Sequence, residues 1–581
     1  MKHLPALLLL LSFLAGAVKA AEMDDRFETL AARYIEEFTE LSPVRATELG
    51  DHRYDAKLNE ISKVARQKRA AFCRSYLKQL ADIDRVKLGR QLQIDHELLE
   101  HDLNMTLWQL EVLRQWEWNP LVYTGLAGSS IYSLTARDFA PLEKRLANVA
   151  SRLEQFPRFF EQVRQTIVPK LVPPIHAETA VKQNRGVLSI LKNLVEPNIE
   201  KLPAKQQIRL HAAVNTARSA VEKQQVWLEK ELVPNARGNF RIGPKLYDQK
   251  LKFTMQSDLS RDKIRARGES ELRRVRAEMF EISRGVYAKK FPLTKFPADP
   301  SPEFQQSIIR AALELAYAEI PKRDAVVAAA EESMKITTDF VRKKDLITIP
   351  DDPLEIIIMP EFQRGVSVAY CDSPGPLDVG QKTFYAVAPL PKEWTDEQCE
   401  SFIREYNTLS IHNLTVHEAM PGHFLQLAFS NRYPSRLRAL LASGVFIEGW
   451  ACYTEQMMSE EGFLDGDPLM RLITLKWYLR TITNAILDQA VHVDGIGREE
   501  AMRMMVEDGF QEEREAAGKW VRSQLTSVQL STYFVGIQEH RDMRRAAEAM
   551  WKDFSLKKYH DAVISHGSPP VKYVRSLILD E

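Results

Sequence analysis

The chain has 581 residues, of which 45% are hydrophobic and 27% are charged, as in an ordinary globular protein. This length exceeds the size at which a single hydrophobic core stops growing, so we expect two or more lobes. Lys+Arg and Asp+Glu both number 79, which leaves no net field to attract a polyanion. No basic run is interleaved with aromatic residues, so we expect neither a nucleic-acid partner nor stable membrane association.

The first 20 residues are typical of a secretory signal peptide. Lys2 and His3 precede an apolar run over 4–18, and small residues follow at 20 and 21. We therefore predict cleavage near Ala20 and an exported protein, periplasmic or secreted. A membrane anchor is the alternative, but the apolar run is short for a bilayer span. No Cys follows the run, so a lipid-anchored form is not indicated.

Helical periodicity dominates the N-terminal part of the mature chain. Apolar residues recur at three- and four-residue spacing with charges between them, as at Phe27, Leu30 and Tyr34. Residues 116–133 are rich in Asn, Pro, Gly, Ser and aromatics, and we predict a loop there. The predicted helices of this part cover 23–41, 58–83, 90–114, 142–165 and 203–232.

Residues 234–244 concentrate loop formers and mark a candidate boundary between lobes. We predict an N-terminal helical lobe over 21–238 and a catalytic lobe over 239–581. The second lobe begins with predicted helices over 260–289, 302–320 and 322–344.

A short region of different character, 346–390, follows these helices. Three β-branched and aromatic segments, 354–359, 367–371 and 383–388, predict a small antiparallel sheet. Segment 383–388 is a candidate edge strand for pairing with an extended peptide. Helices dominate again over 395–555, so the predicted fold is mainly α with one small sheet.

The segment 415–424 reads Thr-Val-His-Glu-Ala-Met-Pro-Gly-His-Phe. His417 and His423 are six residues apart, and on a regular helix their side chains would point about 120° apart. Pro421 interrupts such a helix because it lacks an N–H and its ring clashes with the carbonyl of His417. Gly422 beside it permits an unusual backbone conformation. We therefore predict a helix break at 420–422 that lets both imidazoles reach one metal.

The third ligand is expected on a following helix, within a zinc-site region over 405–492. Glu448 lies among apolar residues, where an acid is costly unless it is paired or metal-bound. Two His and a Glu form the ligand set of a catalytic zinc with one open position, so we predict one Zn²⁺ per chain. Glu418, directly after His417, is where such sites keep their general base. Glu455 follows Glu448 on nearly the same helical face and is either a partner of a ligand or a structural acid. The alternative is that the histidines are core residues and Glu448 pairs with an Arg.

Two other groups carry potential ligands. Segment 95–102 contains His96 and His101, but nothing breaks that helix, and we predict a solvated helix face. The four cysteines form no metal-type spacing, and their pairing cannot be assigned from sequence; they are Cys73, Cys371, Cys399 and Cys452.

Two residues further along are candidates for completing a mechanism. His492 lies four residues after Asp488 and is a candidate hydrogen-bond donor to substrate or to a metal ligand. A structural His-Asp pair is the alternative. Tyr533, three residues before Gly536, is a candidate for stabilising the oxyanion of a tetrahedral intermediate. A core tyrosine is the alternative.

The sequences His-Glu-Ala-Met-Pro-Gly-His at 417–423 and Glu-Gly-Trp-Ala-Cys-Tyr-Thr-Glu at 448–455 resemble the DUF885 family, of the gluzincin-like metallopeptidase superfamily. The resemblance implies a helical, two-lobed metallopeptidase fold with a deep cleft, zinc, and peptide or related amide substrates. It carries over His417, His423 and Glu448 as ligands and Glu418 as base. One departure is 526–531, Thr-Ser-Val-Gln-Leu-Ser, where the family tends to have a Pro-Gly-Gln-Ala-like run.

Together these patterns predict an exported zinc-dependent peptidase that hydrolyses short peptides, with Glu418 as general base and Tyr533 or His492 at the oxyanion. One alternative is a metal-dependent hydrolase of a non-peptide amide or ester. Another is a non-catalytic metal- or peptide-binding protein. The sequence leaves exo- versus endopeptidase action and the oligomeric state open.

Overall fold

The computed structural model describes residues 4–318, 320–321, 325–359, 368–390 and 394–580, with side chains from residue 21 onward. The chain is mainly helical and has one small mixed sheet. It divides into two compact units. The first comprises Met1–Asn239, Pro374–Gln381 and Pro434–Ala442, and the second comprises Phe240–Ser373, Lys382–Tyr433 and Ser443–Glu581.

Helices form most of both units. Those of the N-terminal part are α1 Leu4–Leu41, α2 Pro43–Glu48, α3 Lys63–Ala81, α4 Arg90–Trp108, α5 Gln115–Trp118, α6 Leu121–Thr135, α7 Leu142–Leu153, α8 Phe156–Thr166, α9 Pro174–Ile190, α10 Ala204–Trp227 and α11 Val233–Asn235. Then follow α12 Gly243–Met255, α13 Arg261–Lys290, α14 Pro302–Ala316, α15 Val326–Lys344, α16 Asp396–Glu405, α17 Thr408–Glu418, α18 His423–Ser430, α19 Arg436–Leu440, α20 Gly444–Glu460, α21 Pro468–Gln489, α22 Arg498–Arg503, α23 Glu513–Leu525, α24 Thr532–Met550, α25 Leu556–Ile564 and α26 Val571–Ile578. None of the helices in the described residues is long and apolar enough to cross a membrane.

The prediction of a loop at 116–133 is wrong, because most of this segment forms helix α6. Ala127, Ile131 and Leu134 are fully buried, so the segment has an apolar face to pack. A Cβ added at Gly128 would lie 3.6 Å from the Ile190 side chain, which places α9 close to this face. Tertiary packing of small residues thus outweighs the weak helix propensity of Gly and Ser.

The predicted solvated face at 95–102 is also wrong for its first two residues. Asp95 and His96 are buried. Asp95 accepts hydrogen bonds from Arg438 Nε at 2.7 Å and from Ser435 Oγ at 2.6 Å. His96 Nε2 lies 3.3 Å from the backbone oxygen of Leu80. Asp95 is thus part of a buried ion pair, and His96 is a hydrogen-bond partner of a backbone carbonyl. Both side chains have structural roles.

The sheet consists of β1 Leu354–Ile358, β2 Ala369–Asp372 and β3 Thr383–Val387 in the order β1-β3-β2. The prediction of an antiparallel sheet is wrong in one pairing, since β1 and β3 are parallel while β2 and β3 are antiparallel. The predicted edge strand at 383–388 is the central strand instead. Strand segments follow from local composition, whereas their pairing order is a long-range property that composition does not contain.

Helices α20 and α24 approach each other closely at two glycines. A Cβ added at Gly449 would lie 2.5 Å from the Cα and carbonyl carbon of Gly536. A Cβ added at Gly536 would lie 2.3 Å from the Val445 oxygen. Because both neighbours are backbone, no side-chain rotation relieves such a clash. Glu448 directly precedes Gly449, so this contact fixes the position of a candidate ligand relative to α24.

We expect Gly449→Ala to lower the free energy of unfolding by about 1–3 kcal/mol, because the added methyl group forces the two helices apart. Thermal and chemical denaturation would measure the loss. Gly444→Ala is the matched control on the same helix, since a Cβ there meets nothing within 4 Å. Equal stability of the two variants would contradict the proposed contact.

Candidate functional site

The predicted helix break is present. Helix α17 ends at Glu418, and α18 begins at His423. Ala419 leaves the helical conformation with φ −129° and ψ −77°, and the Met420-Pro421 peptide bond is cis. His417 therefore lies in the last turn of one helix, and His423 begins the next. The angle that a single continuous helix would impose between their side chains no longer applies.

Two contacts hold the chain in this turn. Trp450 Nε1, on α20, donates to the Pro421 oxygen at 3.0 Å. At Gly422 a Cβ would lie 1.9 Å from the His417 oxygen, so the returning chain presses against the end of α17. Only glycine fits at this position, and the Trp450 bond ties the turn to the helix that carries Glu448.

His417, His423 and Glu448 converge as the sequence predicts. Glu448 Oε2 lies 3.6 Å from His417 Nε2 and 3.5 Å from His423 Nε2. The two imidazole rings are 4.7 Å apart and nearly perpendicular, at 83°. Ligands at about 2.0–2.1 Å around a tetrahedral zinc lie roughly 3.3 Å from one another. The observed separations thus match the edges of a zinc site within a few tenths of an ångström.

The other side of His417 is fixed by an acid. His417 Nδ1 lies 2.6 Å from Glu455 Oε1, and Asn413 Nδ2 donates to Glu455 Oε2 at 2.7 Å. A separation of 2.6 Å is that of a charge-assisted hydrogen bond and is too short for two ligands of one metal. Glu455 therefore orients the imidazole so that Nε2 faces Glu448 and His423.

Cys452 forms a second possible ligand group with His417 and Glu455. Burial, together with the nearby Glu455 carboxylate, raises the pKa of the Cys452 thiol to about 12. His417 Nδ1 and Glu455 Oε1 are hydrogen-bonded at 2.6 Å, too close for both to bind one metal, and this disfavours the second group. None of the four cysteines, all of which the structure describes, forms a disulfide, and Cys452 is a small buried side chain beside His417.

Glu418 is buried next to this group. The backbone N–H of Cys371, in edge strand β2, donates to Glu418 Oε2 at 3.0 Å. Burial raises the pKa of Glu418, while the two imidazoles of His417 and His423 oppose the rise. A carboxylate with a raised pKa accepts a proton more readily near neutral pH, which suits a general base.

The charges of the converging groups stabilise one another. Burial alone would lower the pKa of His417, but contacts with Cys452, Glu448 and Glu455 raise it well above the usual value. Burial alone would raise the pKa of Glu448, but hydrogen bonds from His417 and His423 depress it strongly. The group therefore favours an ionised carboxylate beside positive charge, whether that charge is a proton or a cation.

Tyr533 lies in the first turn of α24, three residues before Gly536, whose backbone packs against Gly449 next to Glu448. Its hydroxyl accepts hydrogen bonds from Arg522 Nη2 at 3.2 Å and from Gln529 Nε2 at 3.4 Å. Burial and the Glu448 carboxylate raise the pKa of Tyr533, so the hydroxyl keeps its proton. A protonated phenol beside a candidate ligand is placed to donate a hydrogen bond to a substrate oxygen.

His492 is directed elsewhere. Its Nε2 donates to the backbone oxygens of Ser523 at 2.9 Å and Thr526 at 2.7 Å, and its ring stacks on Tyr247. Within the described residues, none of these contacts belongs to the His417 group. Burial lowers the pKa of His492 to about 4, so the ring is neutral and serves the structure around α23.

Sequence reasoning missed two residues that position the group. Asn413 lies one helical turn before His417, so the four-residue spacing itself could have identified it. Trp450 gave no such signal, because its bond to the Pro421 oxygen joins elements 29 residues apart. Backbone acceptors in a turn are not encoded by any side-chain pattern.

Asp488 yields a prediction on pH. Tyr247 and Ser531 donate to its Oδ2, and burial raises its pKa from 3.8 to about 7. The folded state thus binds more protons than the unfolded state between these two values, and stability falls as pH rises through that window. Asp488→Asn should remove this loss, which amounts to roughly 1.4 kcal/mol for each pH unit between the two pKa values.

Denaturation midpoints from pH 4 to pH 8 would measure the difference between the variant and the native protein. Asp494→Asn is the control, because that side chain is about one-third exposed and lies in the turn that follows the same helix. Parallel profiles for Asp488→Asn and the native protein would contradict the assignment.

Comparison with known proteins places the chain in a family. The model described as "Bacterial protein of unknown function (DUF885)" matches residues 43–578. No curated protein matches the chain. A solved structure from Shewanella oneidensis is 32% identical, with a TM-score of 0.80 over 95% of this chain and 99% of that one. Another, from Colwellia psychrerythraea, is 17% identical and shares the fold, with a TM-score of 0.76 over 96% of this chain and 99% of that one. Both are described as a "putative lipoprotein". The chain belongs to the DUF885 family.

Proposed function

We propose that this protein is an exported, zinc-dependent peptidase of the gluzincin-like superfamily that hydrolyses short peptides. The observation that carries the proposal is the convergence of His417, His423 and Glu448 at separations of 3.5–3.6 Å, with Glu418 beside them. Two imidazoles and one carboxylate leave an open position in a tetrahedral zinc site, which is the arrangement of catalytic rather than structural zinc.

Five side chains would carry out the proposed hydrolysis. His417, His423 and Glu448 would hold the zinc, which when bound supplies a Lewis acid for the scissile carbonyl and the attacking water. Glu418 takes a proton from that water and transfers it to the leaving amine. Tyr533 donates a hydrogen bond to the oxygen that becomes negative as the tetrahedral centre forms.

The proposal also covers architecture and location. A two-lobed metallopeptidase-like fold with a deep cleft would admit short, extended peptides more readily than folded proteins. Residues 1–20 would act as a signal peptide cleaved near Ala20, and the lipoprotein descriptions of the two similar structures agree with export.

Metal analysis tests the ligand set. The purified protein should retain about one zinc per chain after dialysis, and His423→Ala should lose it, because two ligands hold zinc far more weakly than three. His211→Ala removes an exposed histidine and is the matched control. A chelator should abolish peptide hydrolysis, and added zinc should restore it. Absence of stoichiometric metal from the native protein would refute the ligand set.

Substitution of the base tests the chemistry separately from the metal. Glu418→Gln should lower kcat for a short peptide by about 10²–10⁴-fold, since the amide cannot accept the proton. Its zinc content should remain that of the native protein. Glu461→Gln, beside the end of α20, is the control. Unchanged hydrolysis by Glu418→Gln would point to a non-catalytic binding protein, and activity confined to acylated small molecules would point to a non-peptide hydrolase.

A further inference from the structure

A cluster of cations lies beside the candidate site. Arg480 on α21 and Lys519 on α23 both contact the Glu515 carboxylate, and Arg522 lies one turn after Lys519 on α23. Arg480 Nη2 donates to Glu515 Oε1, while Lys519 Nζ lies 3.7 Å from the same oxygen. Lys519 is only 4% exposed. Two carboxylates act on these three cations in a largely buried setting, since the charge of Glu405 also reaches Arg480 and Lys519. Glu405 is itself paired with Lys476 at 2.8 Å.

The hydrogen-bonding capacity of these cations is only partly used. Arg522 Nη2 donates to Gln529 Oε1 at 2.9 Å and to the Tyr533 hydroxyl at 3.2 Å, both of which are neutral. In the part of the chain that the structure describes, no carboxylate contacts Arg522. The Nη1 atom of Arg480 is buried and has no hydrogen-bond partner there. Buried cations without matching acids are costly, and a bound anion would remove that cost.

The electrostatic environment of Lys519 also favours binding of an anion. Burial and the positive charge of Arg480 lower the pKa of Lys519 well below its usual value. The Glu515 and Glu405 carboxylates oppose this effect, and Arg522 adds to it. The positive charges of Arg480 and Arg522 outweigh the two acids at Lys519.

Tyr533 connects this cluster to the candidate metal group. Its hydroxyl accepts a hydrogen bond from Arg522, and Tyr533 lies three residues before Gly536, whose backbone packs against Gly449 next to Glu448. The phenol thus links Arg522 to the helix contact beside a candidate metal ligand. A peptide with its scissile carbonyl at the metal would extend toward the cations along this path.

We propose that Arg522, with Lys519 and Arg480, binds the terminal α-carboxylate of a peptide, so that the enzyme cleaves near the carboxyl end of its substrate. The inference rests on the proposed peptidase function. Arginine suits this task because its planar fork of N–H donors matches a carboxylate. An enzyme that cleaves internal bonds would meet no terminal carboxylate this near the scissile bond.

Binding can be tested without turnover. Calorimetry on zinc-loaded Glu418→Gln protein would compare N-acetyl-trialanine as the free acid, the same peptide as the carboxyl-terminal amide, and an amide whose last residue is Asp. We expect the free acid to bind at least tenfold more tightly than either amide. Equal affinity for acid and plain amide, or no binding of the acid, would overturn the proposal. Preference for the Asp amide would assign the cations to an acidic side chain instead and would also overturn it.

Variants locate the effect. Arg522→Gln in the same background should abolish the preference for the free acid, whereas Arg522→Lys should retain part of it. Arg514→Gln removes an exposed arginine from the same helix and should leave the preference intact. Retention of the full preference by Arg522→Gln would contradict the assignment, and a melting curve would verify that each variant is folded.

Hydrolysis by the protein with Glu418 intact separates this inference from the function on which it rests. Cleavage of amide and acid at equal rates would leave the peptidase in place and remove the carboxylate site. Tight binding of the acid without any hydrolysis would keep the carboxylate site and remove the peptidase.

Discussion

The interruption of a helix between two histidines is the constraint on which the candidate site depends. A continuous helix would direct His417 and His423 about 120° apart, and no shared partner could reach both. The chain instead turns at 419–422, where proline cannot continue the hydrogen-bond ladder and Gly422 passes against the His417 carbonyl. Trp450 then bonds to the turn from the helix of Glu448. The turn and Glu448 are thereby held in fixed positions relative to each other. The convergence of the two histidines and Glu448 follows from this backbone geometry.

The three acids of the site, Glu448, Glu455 and Glu418, have different hydrogen-bond partners, and these partners indicate different roles. Glu448 lies between two imidazoles, so its charge is stabilised where a cation would sit. Glu455 is held by Asn413 and holds the far nitrogen of His417, which makes it an orienting group. Glu418 is bonded to a backbone N–H of strand β2 rather than to a cation. It thus keeps proton affinity that a salt-bridged acid would lose, and this affinity is what a base requires.

The features that sequence could predict are those encoded over short distances. The helix break follows from Pro421 and Gly422 themselves, and the strand segments follow from β-branched composition. The order of the strands does not, because β1 pairs with β3 across the intervening β2. Residues 116–133 appeared to be a loop because Gly and Ser have low helix propensity, yet burial of Ile131 and Leu134 makes the helix favourable. His492 was placed at the site from its spacing to Asp488, but two carbonyls of another segment determine its direction.

The glycine contact between α20 and α24 joins the metal group to the cation cluster. Gly449 follows Glu448 directly, and Gly536 lies three residues after Tyr533, so the approach of these glycines sets how near the phenol comes to the carboxylate. Arg522 contacts the same phenol from α23. Acid, hydroxyl and guanidinium therefore follow one another on α20, α24 and α23, and a backbone contact fixes the spacing of the first two helices. Under the proposed function, a peptide that spans them would meet the proposed metal, the proposed oxyanion donor and the proposed carboxylate site. This arrangement fits cleavage at a fixed distance from a chain end better than cleavage at variable internal positions.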